Sequence, residues 1–181
     1  MVEIRLHGRG GQGLVKASQM TVASVVENGK YAHFIPSFGV ERKGSPVFGF
    51  LRLSEEPIRR KTQIYTPDVL VILDDTLIGL PETYEGLKED GIVIINSTKN
   101  PTELNLPVNT GMVAIVDAAK ISQDIIGRFI PNTPMLGALC KVLSDLVDKD
   151  TLFKYIGNTF GEKNVAAAQR AYDEVTCYRQ H

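Results

Sequence analysis

The chain has no tryptophan, two cysteines and three histidines, and its opposite charges almost cancel. The few cysteines and histidines and the charge balance each remove a class of function. Cys140 and Cys177 stand far apart and neither belongs to a C-x-x-C, so they cannot supply the four thiolates of an iron–sulfur cluster. His7, His33 and His181 are too scattered to suggest a metal site. Twenty Lys+Arg against 21 Asp+Glu leave a net charge of −1, which gives no basic footprint for nucleic acid. No apolar run approaches the length that spans a bilayer, and the N-terminus lacks the basic and apolar regions of a secretory leader. A cytoplasmic protein with two reduced thiols is expected, with no membrane association.

What the chain does have is an ordinary globular composition, 43% hydrophobic and 23% charged over 181 residues. "VEIRLHG" predicts a first strand and "GLVKASQMTVASVVENG" an amphipathic helix. "YAHFIPSFG" predicts a second strand that Pro36 should end, and "PVFGFLRLS" a third. "DVLVILDD", "GIVIINS" and "MVAIVDA" are short apolar runs, as in strands covered on both faces of a mainly parallel sheet. "TLIGLPETYEGLKEDG" reads as a short helix, and four helical segments fill the chain beyond Ala118. The alternation predicts an α/β fold, a three-layer α/β/α sandwich on a mixed, mainly parallel sheet. No repeat or linker divides it, so one domain over 1–181 is expected. Its helical C-terminal part, from about Thr151, is read as an extension available to a partner.

Two stretches carry unusual chemistry. "HGRGGQG", His7 to Gly13, has the G-x-G-x-x-G spacing of a dinucleotide-binding turn. That reading also requires an acidic residue at the end of the second strand, for the ribose hydroxyls. The strand ends "HFIPSFG", and no carboxylate follows until Glu41. The loop keeps its other properties: glycines admit close backbone approach, and the following helix offers unpaired N–H groups to an anion. Arg9 and Gln12 add polar side chains to Gly10 and Gly11 at that rim. A loop that only packs is the alternative.

The second stretch is "PSFGVERKGSPV", Pro36 to Val47, where Glu41, Arg42 and Lys43 put three charges on one loop. A solvated turn is the bland reading. Gly44 and Pro46 stiffen it, which suits presentation of the Arg42 guanidinium to a phosphate or carboxylate.

Taken with "NTPMLGAL", these two stretches resemble the gamma subunit of the 2-oxoacid:ferredoxin oxidoreductases, the pyruvate type above all. The resemblance runs in order from residue 2 to about residue 145. It implies an α/β subunit of a complex that decarboxylates a 2-oxoacid and releases an acyl-CoA, reducing ferredoxin. Thiamine diphosphate, Mg2+, [4Fe–4S] clusters and CoA would belong to the complex, with none held by this chain alone. No G-D-G with a downstream Asn is present to hold the magnesium diphosphate of thiamine. The implied partners are alpha, beta and delta-type subunits, with ferredoxin as acceptor. The resemblance makes Arg9, Gly10, Gly11, Gln12, Glu41, Arg42 and Lys43 candidates for a CoA-facing surface, with no catalytic residue on this chain. Leu14, Lys16, Ser18 and Lys43 depart mildly from the family pattern, which leaves the 2-oxoacid open. Branched-chain and aryl 2-oxoacid enzymes are alternatives. A free-standing nucleotide-binding protein using the Gly8–Gly13 loop, and a purely structural subunit, are the readings of another class.

Overall fold

The structure is a computed structural model that describes residues 1–37 and 44–180. Seven strands form one sheet: β1 (Val2–Arg9), β2 (Tyr31–Ser37), β3 (Pro46–Ser54), β4 (Val69–Ile72), β5 (Gly91–Asn96), β6 (Thr110–Val116) and β7 (Thr176–Arg179). Their order across the sheet is β2-β3-β1-β4-β5-β6-β7. The four central strands, β1, β4, β5 and β6, run parallel, and the outer pairings are antiparallel. The parallel centre matches the apolar runs: Val69 to Ile72 and Val93 to Ile95 are all buried, because side chains on both faces need cover.

Five helices, α1 (Leu14–Glu27), α2 (Ala118–Ile126), α3 (Asn132–Val142), α4 (Lys149–Phe160) and α5 (Glu162–Glu174), accompany the sheet. All five contribute to one core, which they share with Ile4, Leu6, Val71 and Ile94. The alternate residues of the same strands, Leu70, Ile72, Val93 and Ile95, face a second core under three short 3-10 turns and their loops. The expected α/β fold on a mixed sheet is therefore present, but the second helical layer of the expected three-layer sandwich is not: among the described residues the α-helices lie on one face and 3-10 turns with their loops cover the other. The short helix expected within "TLIGLPETYEGLKEDG" is replaced by turns at Asp75–Leu77 and Pro81–Tyr84. Gly79 and Pro81 interrupt any longer helix there, since proline removes a donor and glycine favours turns.

Two further expectations change. Pro36 does not end β2: it stands opposite Gly49, one residue before the strand stops at Ser37. β2 is an edge strand, so a residue without an N–H leaves no inner ladder broken. The last predicted helix stops at Glu174, and the chain turns at Val175 into β7, antiparallel to β6. The segment beyond Thr151 packs on this chain's own helices. Leu152, Phe153 and Ile156 of α4 and Ala167, Ala168 and Ala171 of α5 lie in the helical core.

α3 and α5 approach with unusual closeness. A Cβ on Gly137 would lie 2.8 Å from the carbonyl carbon of Ala168 and 3.1 Å from its Cα. Only glycine on α3 and small residues on α5 allow that backbone contact.

Candidate functional site

The parallel strands end at one edge, and their carboxyl ends carry the polar residues. The glycine loop leaves β1, Leu73 and Asp74 follow β4, Asn96 closes β5, and Asp117 follows β6. The chain leaves β1 through α1 into the helical core, and leaves β4 through Leu77 and Ile78 into the opposite core. Consecutive connections on opposite faces open a crevice at that edge, the usual ligand position in open α/β sheets.

The glycine loop is held by a closed circuit of hydrogen bonds. The backbone N–H of Arg9 donates to Gln12 Oε1 at 2.7 Å, and Gln12 Nε2 donates to Asp74 Oδ2 at 2.5 Å. The Thr76 hydroxyl donates to Asp74 Oδ1 and accepts from Arg9 Nε at 2.9 Å, which returns the circuit to Arg9. Burial pushes the Asp74 carboxyl up, but hydrogen bonds from Thr76 and Gln12 and the charge of Arg9 outweigh it and hold the group below its ordinary range. Arg9 Nη1 also donates to the Gly44 carbonyl at 3.1 Å, and the Gly10 N–H donates to the Ser45 carbonyl at 2.9 Å. The glycine loop is thereby tied to the β4 turn on one side and to the start of β3 on the other. Gly11 and Gly13 have φ of 89° and 79°, the left-handed region that glycine tolerates best.

Asn132 and Thr133 begin α3, but neither side chain caps it. The residue before the helix is Pro131, and Asn132 Oδ1 instead accepts from the next N–H, of Thr133, at 2.9 Å. The Thr133 hydroxyl donates to Asn164 Oδ1 at 3.0 Å, at the start of α5. Asn132 lies against Gly13, so this motif joins the glycine loop to the C-terminal helices.

Of the sequence candidates, Arg9, Gly10, Gly11 and Gln12 stand together at the carboxyl edge. Glu41, Arg42 and Lys43 lie outside the described residues; the loop that carries them rejoins the described chain at Gly44, against Arg9. Sequence reasoning missed Asp74, Thr76, Asn96 and Asp117. The signal was present, because the apolar runs "VLVIL", "GIVII" and "MVAIV" are each followed at once by Asp or Asn. Asn96 spans the edge: its Nδ2 donates to the Leu73 carbonyl at 2.9 Å, and its Oδ1 accepts from the Ala119 N–H at 3.1 Å.

A cavity of about 390 Å³ opens beside Gln12, between the ends of β4, β5 and β6. Among the described residues, Asp74, Asp75, Glu103 and Asp117 line it against one cation, Lys99, and Phe129 stands at its wall, 72% exposed. Its charge suits no phosphate. Arg9, whose Nε lies 3.7 Å from Asp74 Oδ1, is not among the residues that line the cavity.

The dinucleotide reading fails on topology as well as on the missing carboxylate. In that fold the strand after the first helix lies beside β1, whereas here β3 separates β1 from β2. His7 is buried inside β1, where Nε2 accepts from Arg5 Nε at 2.9 Å and the ring meets Phe48 edge-on at 5.0 Å. Burial, and then the charge of Arg5, lower its pKa to about 3, so it is a neutral packing residue at neutral pH.

Residues 3–174 match the family model described as pyruvate ferredoxin/flavodoxin oxidoreductase. The chain belongs to that family. It is 45% identical to the pyruvate synthase subunit PorC of Methanothermobacter marburgensis, over 97% of this chain and 98% of that one. It is 44% identical to the common gamma subunit of the pyruvate/ketoisovalerate oxidoreductases of Thermococcus kodakarensis, over 98% and 99%. The crystal structure of the pyruvate oxidoreductase subunit PORC of Thermotoga maritima superposes with a TM-score of 0.86, at 38% identity and 98% coverage of each chain. The family resemblance carried by the glycine loop, the charged loop and "NTPMLGAL" is thus confirmed along nearly the whole chain.

Proposed function

We propose that this chain is the gamma subunit of a 2-oxoacid:ferredoxin oxidoreductase, with pyruvate as the 2-oxoacid, and that its carboxyl edge faces CoA. The observation that carries the reading is the full-length similarity to relatives named as this subunit, including pyruvate synthase subunits at 45% and 44% identity. The shared gamma subunit of the pyruvate and ketoisovalerate enzymes supports a subunit that does not itself select the 2-oxoacid. The branched-chain alternative stays open on that ground.

The chain's own residues fit a binding and shaping role. Two cysteines cannot hold a [4Fe–4S] cluster, and among the described residues no three metal-binding side chains converge. The clusters, thiamine diphosphate and Mg2+ are assigned to the alpha, beta and delta-type subunits of a cytoplasmic complex, with ferredoxin as acceptor. No helix among the described residues is long and apolar enough to cross a membrane. CoA brings a diphosphate and a 3′-phosphate to the complex. Those anions fit Arg9 and the glycine loop, where Gly10 and Gly11 leave the backbone open to close approach, and Arg42 and Lys43, which precede Gly44 in the sequence, are proposed as further cationic contacts. They do not fit the acid-lined cavity.

The test is reconstitution. The tagged chain should co-purify with thiamine- and cluster-binding subunits, and the complex should reduce ferredoxin with pyruvate in a CoA-dependent way. A thermal-shift titration of the chain with NADH, FAD and CoA separates the nucleotide-binding alternative: stabilisation by NADH or FAD alone would reject the subunit reading.

A further inference from the structure

We propose that Asp74 is a positioning residue for the anionic ligand of the glycine loop, acting through Gln12 and Arg9. The inference rests on the CoA-facing reading above and adds to it a residue outside the glycine loop and the charged loop.

Four groups make the circuit, and each is used in the only polarity that satisfies all of them. The Arg9 backbone N–H requires an oxygen, so Gln12 must present Oε1 to it at 2.7 Å. That leaves Gln12 Nε2 as a donor, and the Asp74 carboxylate, 2.5 Å away, accepts it. Thr76 has one hydroxyl hydrogen, which goes to Asp74, and an acceptor lone pair, which takes Arg9 Nε at 2.9 Å. The Asp74 carboxylate also receives the Thr76 backbone N–H at 2.9 Å and lies 3.7 Å from Arg9 Nε. One carboxylate at the end of β4 therefore fixes the amide orientation of Gln12, the path of the glycine loop and the direction of the Arg9 guanidinium.

Arg9 spends Nε on Thr76 and Nη1 on the Gly44 carbonyl. A guanidinium held at two of its nitrogens presents its remaining donors in a fixed direction, so less conformational freedom is lost when an anion binds. Asp74 itself would repel a phosphate. Its oxygens are taken up by Gln12, Thr76 and Arg9, so its charge is offset by these donors where it stands. The arrangement needs the carboxylate in its charged form, and the same three partners hold it there.

The experiment uses the assembled complex and steady-state kinetics with CoA as the varied substrate. Asp74→Asn keeps the volume and an acceptor for Thr76 but removes the charge that orients Arg9. KM for CoA should rise about tenfold, as expected for loss of a charge-assisted hydrogen bond, with a smaller change in kcat. Thr76→Val breaks the circuit at an exposed hydroxyl and should move KM for CoA in the same direction. In an Arg9→Met background, Asp74→Asn should raise KM by clearly less than it does in the parent complex, because the part of its effect that passes through the Arg9 guanidinium is already gone. The inference is overturned if both single variants keep the original KM for CoA, or if Asp74→Asn and Arg9→Met add independently. Should Asp74→Asn fail to assemble, Thr76→Val alone decides. A parent complex with no CoA dependence would instead overturn the functional reading itself.

Discussion

The side-chain amide of Asn132 occupies the space that a β-carbon on Gly13 would need, with Asn132 Cγ and Cβ at 3.0 and 3.2 Å from that position. The third glycine of the loop is therefore required twice, by its left-handed backbone and by a neighbour 119 positions later in the chain. Gly13→Ala should destabilise the chain by about 2–4 kcal/mol, the sum of left-handed strain and overpacking. Urea unfolding measures it. Combining Gly13→Ala with Asn132→Ala should recover the steric part and leave about 1 kcal/mol; additive losses would show that the two residues do not collide.

At Gly11 the situation is different. Its φ of 89° is left-handed, but an added Cβ meets no described atom within 4 Å. Gly11→Val should cost the isolated chain only about 1–2 kcal/mol of backbone strain. Assembly or turnover of the complex should fall further than that. A Gly11→Val complex with full activity would make the loop a tolerant turn.

Gly137→Ala should cost about 3 kcal/mol, because the new methyl meets the backbone of Ala168 and not a movable side chain. Ala168→Gly should not rescue it, since the colliding carbonyl remains. Thermal unfolding of the single and double variants checks both statements.

Stability should fall in acid through His7. Its folded pKa, about 3, lies below the ordinary value of 6.5, so the unfolded chain takes up the proton first. The contribution is fully present above about pH 6.5 and is lost as pH falls towards 3, with a slope approaching about 1.4 kcal/mol per pH unit. His7→Gln should flatten unfolding free energy against pH over that window relative to the parent chain. An unchanged slope would show that His7 does not titrate there.

Arg42→Ala should weaken use of CoA by about 1.5–3 kcal/mol, the range for hydrogen bonds to charged groups. Reduction of the clusters by the 2-oxoacid alone should persist. Stopped-flow spectra with and without CoA measure the difference. An unchanged CoA response together with weakened subunit association would make the loop an interface element.

The sequence by itself determined the local elements and the identity of the loop. Alternating "VEIRL", the continuous runs from Val69 and Ile92, and the helical stripe from Leu14 to Val25 specify strands and α1, because burial on one or two faces is written into residue spacing. Glycine at positions 11 and 13 announced a backbone that few other residues adopt. Only the tertiary structure decided which faces and neighbours those elements found. It let β2 continue through Pro36, because an edge strand needs no outer donor, and it turned Thr176–Arg179 from the end of a helix into β7 beside β6. It also assembled the Arg9–Gln12–Asp74–Thr76 circuit from segments more than sixty positions apart. Spacing along a chain reports periodic burial; it does not report which strand ends will lie side by side, and that adjacency is where this site is made.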